Sequence, residues 1–328
     1  MKVVITGGAG FIGQRLARRL LDIGEITAPS GGKAAIDEML LFDQAVPDPL
    51  PPALAEDARF VAGDISDRDT VSGLIDRDDI AVFHLASVVS GGGEQDFDLA
   101  MRVNLDGNLH VLEALRARQS VPRLVFASSI AVFGGAAMPE SVGDTTKQTP
   151  QTTYGMTKSV GELLINDYTR KGFLDGRAAR LPTVIIRPGK PNLAASSFVS
   201  GVFREPLNGV DMALPVKPEV VMPLLGYRAI VDGIITLHEL PGDKLGGDRA
   251  VSLPALTVTV AEMIEALHRV AGERPLGKVT VEPDPFIEEI VKTWPLDTYY
   301  DRALALGLPR ESSLDEIVAY YIADYLEA

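Results

Sequence analysis

No cysteine occurs among the 328 residues, which excludes disulfides and thiolate metal centres, and the four histidines are scattered rather than clustered. Every apolar run is interrupted by a charge well short of a membrane span. Positive charge is in deficit, with 31 Lys and Arg against 45 Asp and Glu, for a formal net charge of −14. That balance argues against nucleic acid and against an anionic membrane, because both select a basic surface. The N-terminal MKVVITGG enters a strand pattern at once, without the anatomy of a signal peptide. The expectation is a cytoplasmic, soluble protein with a small-molecule partner and no metal.

What is present is a long alternation of strand and helix signals. Strands are expected at 2–5, 38–43, 59–62, 80–85, 123–127 and 180–187, and helices at 11–23, 67–78, 94–118 and 154–171. Near-continuous apolar strands between amphipathic helices indicate a parallel sheet covered on both faces, an α/β fold of the doubly wound, Rossmann type. The stretches 24–36 and 46–57 are rich in glycine and proline and read as surface insertions. Beyond residue 190 the pattern loosens, with short strands at 229–231, 249–253 and 278–281. Capping boxes at Thr259–Glu262 and Ser313–Glu316 start two further helices, and Gly272 closes the first of them. These parts suggest a smaller C-terminal substrate-binding lobe.

The stretch VVITGGAGFIGQRLARRLL (3–21) reads as strand, glycine turn and helix. Gly7, Gly10 and Gly13 permit a tight turn, close approach of a pyrophosphate and close helix–strand packing, while the helix offers its first amides to the phosphates. Asp43 ends the next strand, where a carboxylate accepts from ribose hydroxyls and repels a 2′-phosphate, so NAD is favoured over NADP. Asp64, after the third strand, is placed for the adenine amino group or for capping the helix near Ser66.

Tyr154 and Lys158 fall four residues apart on one helix face, and Ser128 and Ser129 lie just beyond the fifth strand. Free tyrosine has a pKa near 10, and a neighbouring ammonium favours the phenolate, making it a usable base. A serine hydroxyl can hold the reacting oxygen as it becomes a carbonyl.

TGGAGFIG, GDI, HLAS (84–87), VNLDGNLHVLEA (103–114), SSIAVFG and YGMTK together resemble the extended short-chain dehydrogenase/reductases, the NAD-dependent epimerase/dehydratase family, across essentially the whole chain. The resemblance implies a catalytic group of Ser129, Tyr154 and Lys158, with Asn104 stabilising the central helix and a catalytic water. It implies an NAD site lined by Gly7, Gly10, Phe11, Ile12, Gly13, Asp43, Asp64, Ile65, Leu85, Ala86, Ser87, Tyr154 and Lys158. Residues 1–187 would form the NAD-binding domain and 188–328 mainly the substrate lobe, with some segments returning to the sheet.

Dehydratases of this family carry Thr-Asp-Glu where this chain has Ser129-Ile130-Ala131, so elimination of water is disfavoured. Epimerases read Arg-Tyr-Phe-Asn after the sixth strand. Taking that register as Arg187-Pro188-Gly189-Lys190 puts a cation in place of the asparagine. Lys190, with Asn192, Ser196, Ser197, Arg228, Ser87, Ser90 and Ser129, would then suit a small hydroxyl-rich anion. Segments 187–209 and 223–237 resemble sugar-acid dehydrogenases of the family, which implies NAD-dependent oxidation of a hydroxyl beside a carboxylate. A nucleotide-sugar 4-epimerase retaining NAD is the alternative. Relatives pair the helices at 94–118 and 154–171, and Leu105, Leu109, Leu112, Val160, Leu163 and Leu164 would serve a homodimer in the same way.

Overall fold

The computed structural model describes residues 1–191 and 196–327. Two compact units divide the chain: Met1–Ser129 with Thr152–Arg180 and Val231–Val251, and Ile130–Gln151 with Leu181–Ile230 and Ser252–Ala328. The first holds most of a seven-stranded sheet built from β1 (Lys2–Thr6), β2 (Glu38–Asp43), β3 (Arg59–Ala62), β4 (Ile80–His84), β5 (Arg123–Ser129), β6 (Asp175–Leu181) and β7 (Ala250–Ser252). Their spatial order is β7-β6-β5-β4-β1-β2-β3, and the run from β5 to β3 pairs in parallel throughout. The order reverses between β1 and β4, the switch point beside which doubly wound sheets open a crevice for ligands.

All five residues of β1 and of β4 are buried, as required of strands covered on both faces. One core cluster packs Val4, Leu40, Val82, Leu124 and Phe126 of the sheet against Val71 and Leu74 of α2 (Arg68–Leu74), Val111, Leu112 and Leu115 of α3 (Gly107–Arg116), and Ile165 of α4 (Thr153–Arg170). Leu112 is therefore core and supplies no outward face, whereas Leu163 is 66% exposed. The helix after β1, α1 (Phe11–Ile23), buries Leu16, Ala17 and Leu20 at helical spacing and ends on Gly24, whose φ of 76° lets its N–H reach Leu20 O.

Several expectations change. The sixth sheet strand is Asp175–Leu181 rather than 180–187. Its polar letters hid it: Arg177 is fully buried, donates to His238 O at 2.6 Å and pairs with Asp175 at 2.6 Å. Pro182 follows, and a residue without N–H cannot extend the ladder. The apolar run beyond it, Thr183–Ile185, pairs instead with Val221–Gly226 in a three-stranded sheet of the second unit. The strand expected at 229–231 lies inside a helix, Tyr227–Glu239, that begins where Val221–Gly226 ends. The insertion at 24–36 is a hairpin of Glu25–Thr27 with Lys33–Ala35, and Ile26 is fully buried.

The single helix expected over 94–118 is segmented. Ser90–Gln95 and Phe97–Ala100 precede a turn of π-helix, Met101–Asp106, which runs into α3. In the second unit, the capping box at Thr259 and Glu262 opens Val260–Ala271 as the sequence suggested. Ser313 caps Leu314–Tyr325 by accepting from Glu316 N at 3.3 Å, but the Glu316 carboxylate turns to Ser312 rather than closing a box. The core of this unit gathers Phe198, Val202, Phe203, Leu224, Met263, Leu267, Ile317 and Val318.

Gly13 carries the tightest constraint in the first turn, since a Cβ there would stand 2.4 Å from Gly7 O and 2.8 Å from Gly8 Cα. Both obstacles are backbone. Gly13→Ala is expected to cost about 1–3 kcal/mol of stability, read as a lower urea midpoint.

Candidate active site

The glycine turn is wired before any ligand arrives. Gly10 N donates to Gly7 O at 3.1 Å, Gly8 N to Phe42 O at 3.0 Å, and Ala9 N to Asp43 Oδ2 at 3.1 Å. Gly7 has φ 71°, and a Cβ on it would meet Ala86 N at 2.8 Å and the Leu85 carbonyl carbon at 2.9 Å. So the turn, Asp43 and Leu85–Ala86 are brought together at the switch point, with Phe11 and Ile12 half-buried at the helix start. Thr6 Oγ1 pairs with His84 Nδ1 at 2.6 Å and accepts from Ala86 N at 3.3 Å, fixing the chain after β4. The Asp64 carboxylate accepts from Ser66 N and Oγ at 2.8 and 2.7 Å, which lowers its pKa, while Asp67 supplies the cap of α2. Ile65 is buried against Gly107.

Thr152 caps α4 by accepting from Gly155 N at 3.0 Å, and Glu94 takes Thr153 N at 2.8 Å. The helix thereby starts at a fixed residue and presents Tyr154 and Lys158 one turn apart. Lys158 Nζ lies 5.4 Å from the Tyr154 ring centroid and 4.7 Å from that of Phe126. The Ser129 hydroxyl, at the end of β5, hydrogen-bonds the Tyr154 side chain. Burial raises the Tyr154 pKa, and the Ser129 bond works against that rise. Burial brings the Lys158 ammonium down to about 7, with the Glu162 carboxylate one turn on opposing the fall. His84, buried near Lys158, is held down to about 3 and stays neutral.

The two adjacent serines separate by the alternation of a strand. Ser129 goes to Tyr154, while Ser128 turns inward and donates to Glu162 Oε1 at 2.5 Å. Glu162 also receives Arg180 in a two-pronged pair, Nε at 2.8 Å and Nη2 at 2.7 Å, with both side chains almost wholly buried. This Ser128–Glu162–Arg180 group was missed in the sequence. The signal was there: a glutamate two turns after the tyrosine and an arginine closing a strand.

Asn104 sits on the π-turn, and its amide is fully engaged. Its Oδ1 accepts from Val88 N at 2.7 Å and Ser87 Oγ at 3.1 Å, while its Nδ2 donates to Val88 O at 3.0 Å and Thr157 Oγ1 at 3.2 Å. An amide has two donors and two acceptor positions, so all four positions of the Asn104 side chain are used. Its geometry is that of a tie between 87–88, the π-turn and α4. Ser90 is half-buried at the start of Ser90–Gln95.

The remaining expected substrate residues lie in the second unit. Lys190 is exposed on the bend after Gly189, and Ser196 and Ser197 begin the helix Ser197–Leu207. Asn192 lies outside the described residues. Arg228 is already paired: it is clamped on Asp324 by Nε at 3.2 Å and Nη2 at 2.5 Å, 4.0 Å above the Tyr320 ring. With the sixth sheet strand ending at Leu181, Arg187 to Lys190 follow Thr183–Ile185 of the three-stranded sheet instead. Lys190 loses the register that had singled it out.

The profile of the NAD dependent epimerase/dehydratase family matches residues 3–245. The chain belongs to that family. NAD is accordingly its cofactor, and the residues present fit it: a glycine cradle closed to any Cβ and a carboxylate, Asp43, already turned toward the loop amides. Among family members, the chain is 50% identical over 324 residues to a D-erythronate dehydrogenase of Cupriavidus necator, covering 99% of this chain and 98% of the relative. It is 41% identical over 327 residues to a D-erythronate dehydrogenase of Haemophilus influenzae, covering 98% and 99%. The crystal structure of a nucleoside-diphosphate-sugar epimerase from Agrobacterium tumefaciens superposes with a TM-score of 0.91 at 38% identity, covering 100% of this chain and 95% of that one.

Two outcomes follow from the buried charges. Between about pH 7 and the ordinary lysine value the unfolded chain holds a proton at position 158 that the folded chain lacks, so stability rises with pH there. Lys158→Met is expected to flatten that rise in a series of thermal melts. Glu162→Gln strands the Arg180 guanidinium and is expected to cost about 3–5 kcal/mol, measured by urea denaturation.

Proposed function

We propose that this protein is an NAD-dependent dehydrogenase of a small sugar acid such as D-erythronate, oxidising the hydroxyl beside the carboxylate to give the 2-oxo acid. The observation that carries this reading is the full-length likeness, at 50% and 41% identity, to two D-erythronate dehydrogenases. The chemistry of unit one supports it.

Bound NAD supplies the hydride acceptor. Tyr154 takes the hydroxyl proton on its phenolic oxygen, and Lys158, an ammonium above the Tyr154 and Phe126 rings, stabilises the phenolate that must form first. Ser129 donates to the oxygen that becomes a carbonyl. Asn104 acts through Val88 and Thr157 as a positioning residue, and Ser87 follows it. Because Lys158 titrates near neutrality, catalysis draws on an ammonium that is itself close to losing its proton. The same reading makes the enzyme a cytoplasmic homodimer, with exposed Leu163 on α4 at the contact.

The likeness to the Agrobacterium protein favours one alternative, a nucleotide-sugar 4-epimerase. Two features speak against it. No asparagine occurs from Arg180 to Pro191, and Arg228, in the register used for a phosphate, is neutralised by Asp324. A carboxylate at that place repels a diphosphate.

NADH absorbance followed with NAD and a panel of four- and six-carbon sugar acids and nucleotide sugars decides between the two readings. Turnover of an acid is expected; silence with every acid, and conversion of a nucleotide sugar without net NADH, would reverse the choice. Tyr154→Phe is expected to lower kcat by about 10²–10⁴-fold while leaving NAD affinity unchanged in a fluorescence titration. Asp43→Ala is expected to weaken NAD and to relax the preference over NADP.

A further inference from the structure

The positive charge that a phenolate base in unit one requires stands in an unfavourable place. Lys158 is only 3% exposed, and its ammonium lies over the rings of Phe126 and Tyr154. The titratable groups that face it come from three elements. Tyr154 and Glu162 flank it on α4, one turn before and one turn after. His84 on β4 is neutral, and Ser129 on β5 is engaged with Tyr154. Glu162 brings the negative charge.

Residues four apart on a helix have Cβ atoms about 5–6 Å apart. Glu162 is 2% exposed, so little water screens its carboxylate from Lys158. Ser128 Oγ at 2.5 Å and Arg180 Nε and Nη2 at 2.8 and 2.7 Å hold that carboxylate in place. Lys158 therefore feels the difference between Glu162 and the guanidinium joined to it. A buried ion pair is weak evidence for stability, since well-packed apolar residues of the same volume often serve as well. The place of this pair, one turn from the ammonium, gives it a second use.

We propose that Glu162 and Arg180 act through Lys158 as positioning residues of the reaction: the carboxylate holds the ammonium in its charged form, and Arg180 limits that hold. The reaction is taken from the dehydrogenase reading above, whereas the device rests on unit one alone. Its consequence is a working range of pH. A phenolate at Tyr154 beside a neutral amine loses the charge that favours it, so loss of the Lys158 proton ends activity on the alkaline side. The direction of the buried charges agrees: burial drives Lys158 toward the neutral amine, and Glu162 opposes it.

The test compares Glu162→Gln with Arg180→Gln. Both break the same pair, so a purely structural role predicts the same response from each, whereas the charges predict opposite ones. The Lys158 titration is read by carbon-13 NMR of lysine-labelled, NADH-loaded protein, its signal assigned by loss in Lys158→Met. The pH profile of kcat/KM is read with NAD and D-erythronate. Glu162→Gln should move the Lys158 titration and the alkaline limb of the profile down by on the order of one pH unit, and Arg180→Gln should move both up. Ser128→Ala, which leaves both charges, should move neither. Shifts in one direction in both charge variants, or no shift, overturn the proposal, as does a Ser128→Ala shift as large as that of Glu162→Gln. Where circular dichroism shows a single variant to be unfolded, the double variant Glu162→Gln/Arg180→Gln, which strands no charge, takes its place. A Lys158 titration below that of the unaltered protein then supports the device, because the carboxylate adjoining the ammonium is gone, and an unchanged one overturns it. If D-erythronate is oxidised while Lys158 does not move, the device falls and the dehydrogenase reading stands. If no acid is oxidised yet Lys158 moves in opposite directions in the two variants, the reading falls and the device stands.

Discussion

The buried ion pair between Glu162 and Arg180 is the constraint on which the first unit's chemistry depends. A carboxylate inside a protein must be matched by both charge and hydrogen bonds, and here it is matched twice by Arg180 and once by Ser128. Each partner comes from a different element: Glu162 from α4, Ser128 from β5 and Arg180 from β6. The three cannot slide past one another without leaving a charge unpaired. Because Ser129 follows Ser128 and Lys158 lies one turn before Glu162, the register of the pair is also the register of the Ser129–Tyr154–Lys158 group. The carboxylate further offsets the cost of burying Lys158, so one group serves both packing and acid–base chemistry.

A second tie fixes the other side of that group. Asn104 sits where the helix widens into a π-turn, and such turns are frequent at functional sites because they re-aim a side chain. Its four hydrogen bonds join 87–88 to Thr157 on α4. Thr6 and His84 do the same for the chain leaving β4, beside the glycine turn. The switch point of the sheet is therefore pre-organised by the hydrogen bonds of Asn104, Thr6 and Asp43, apart from the buried pair of Glu162 and Arg180.

In the second unit, the cations differ in how they are partnered. Arg228 is paired and stacked, Arg204 is paired, and Arg187 has a buried nitrogen without a hydrogen-bond partner among the described residues. A family fold supports many reactions, so the balance of charge around a few side chains is a better guide to substrate than topology.

The sequence by itself determined the glycine turn, Asp43 at the end of β2, the Tyr154–Lys158 pair on one helix face and the capped helix at Thr259. Each of these rests on spacing within a few residues, which local backbone geometry fixes. Tertiary structure decided the rest. The sixth strand was misplaced because Arg177 and Arg180 look like surface residues until Asp175, His238 O and Glu162 are seen to satisfy them. That shift took Lys190 away from the end of the sixth strand, where it had been expected. Arg228 changed from a candidate ligand to a clamped residue through Asp324, 96 positions away. Local pattern reports the periodicity of burial, whereas the fate of a charge depends on which distant group is brought to meet it.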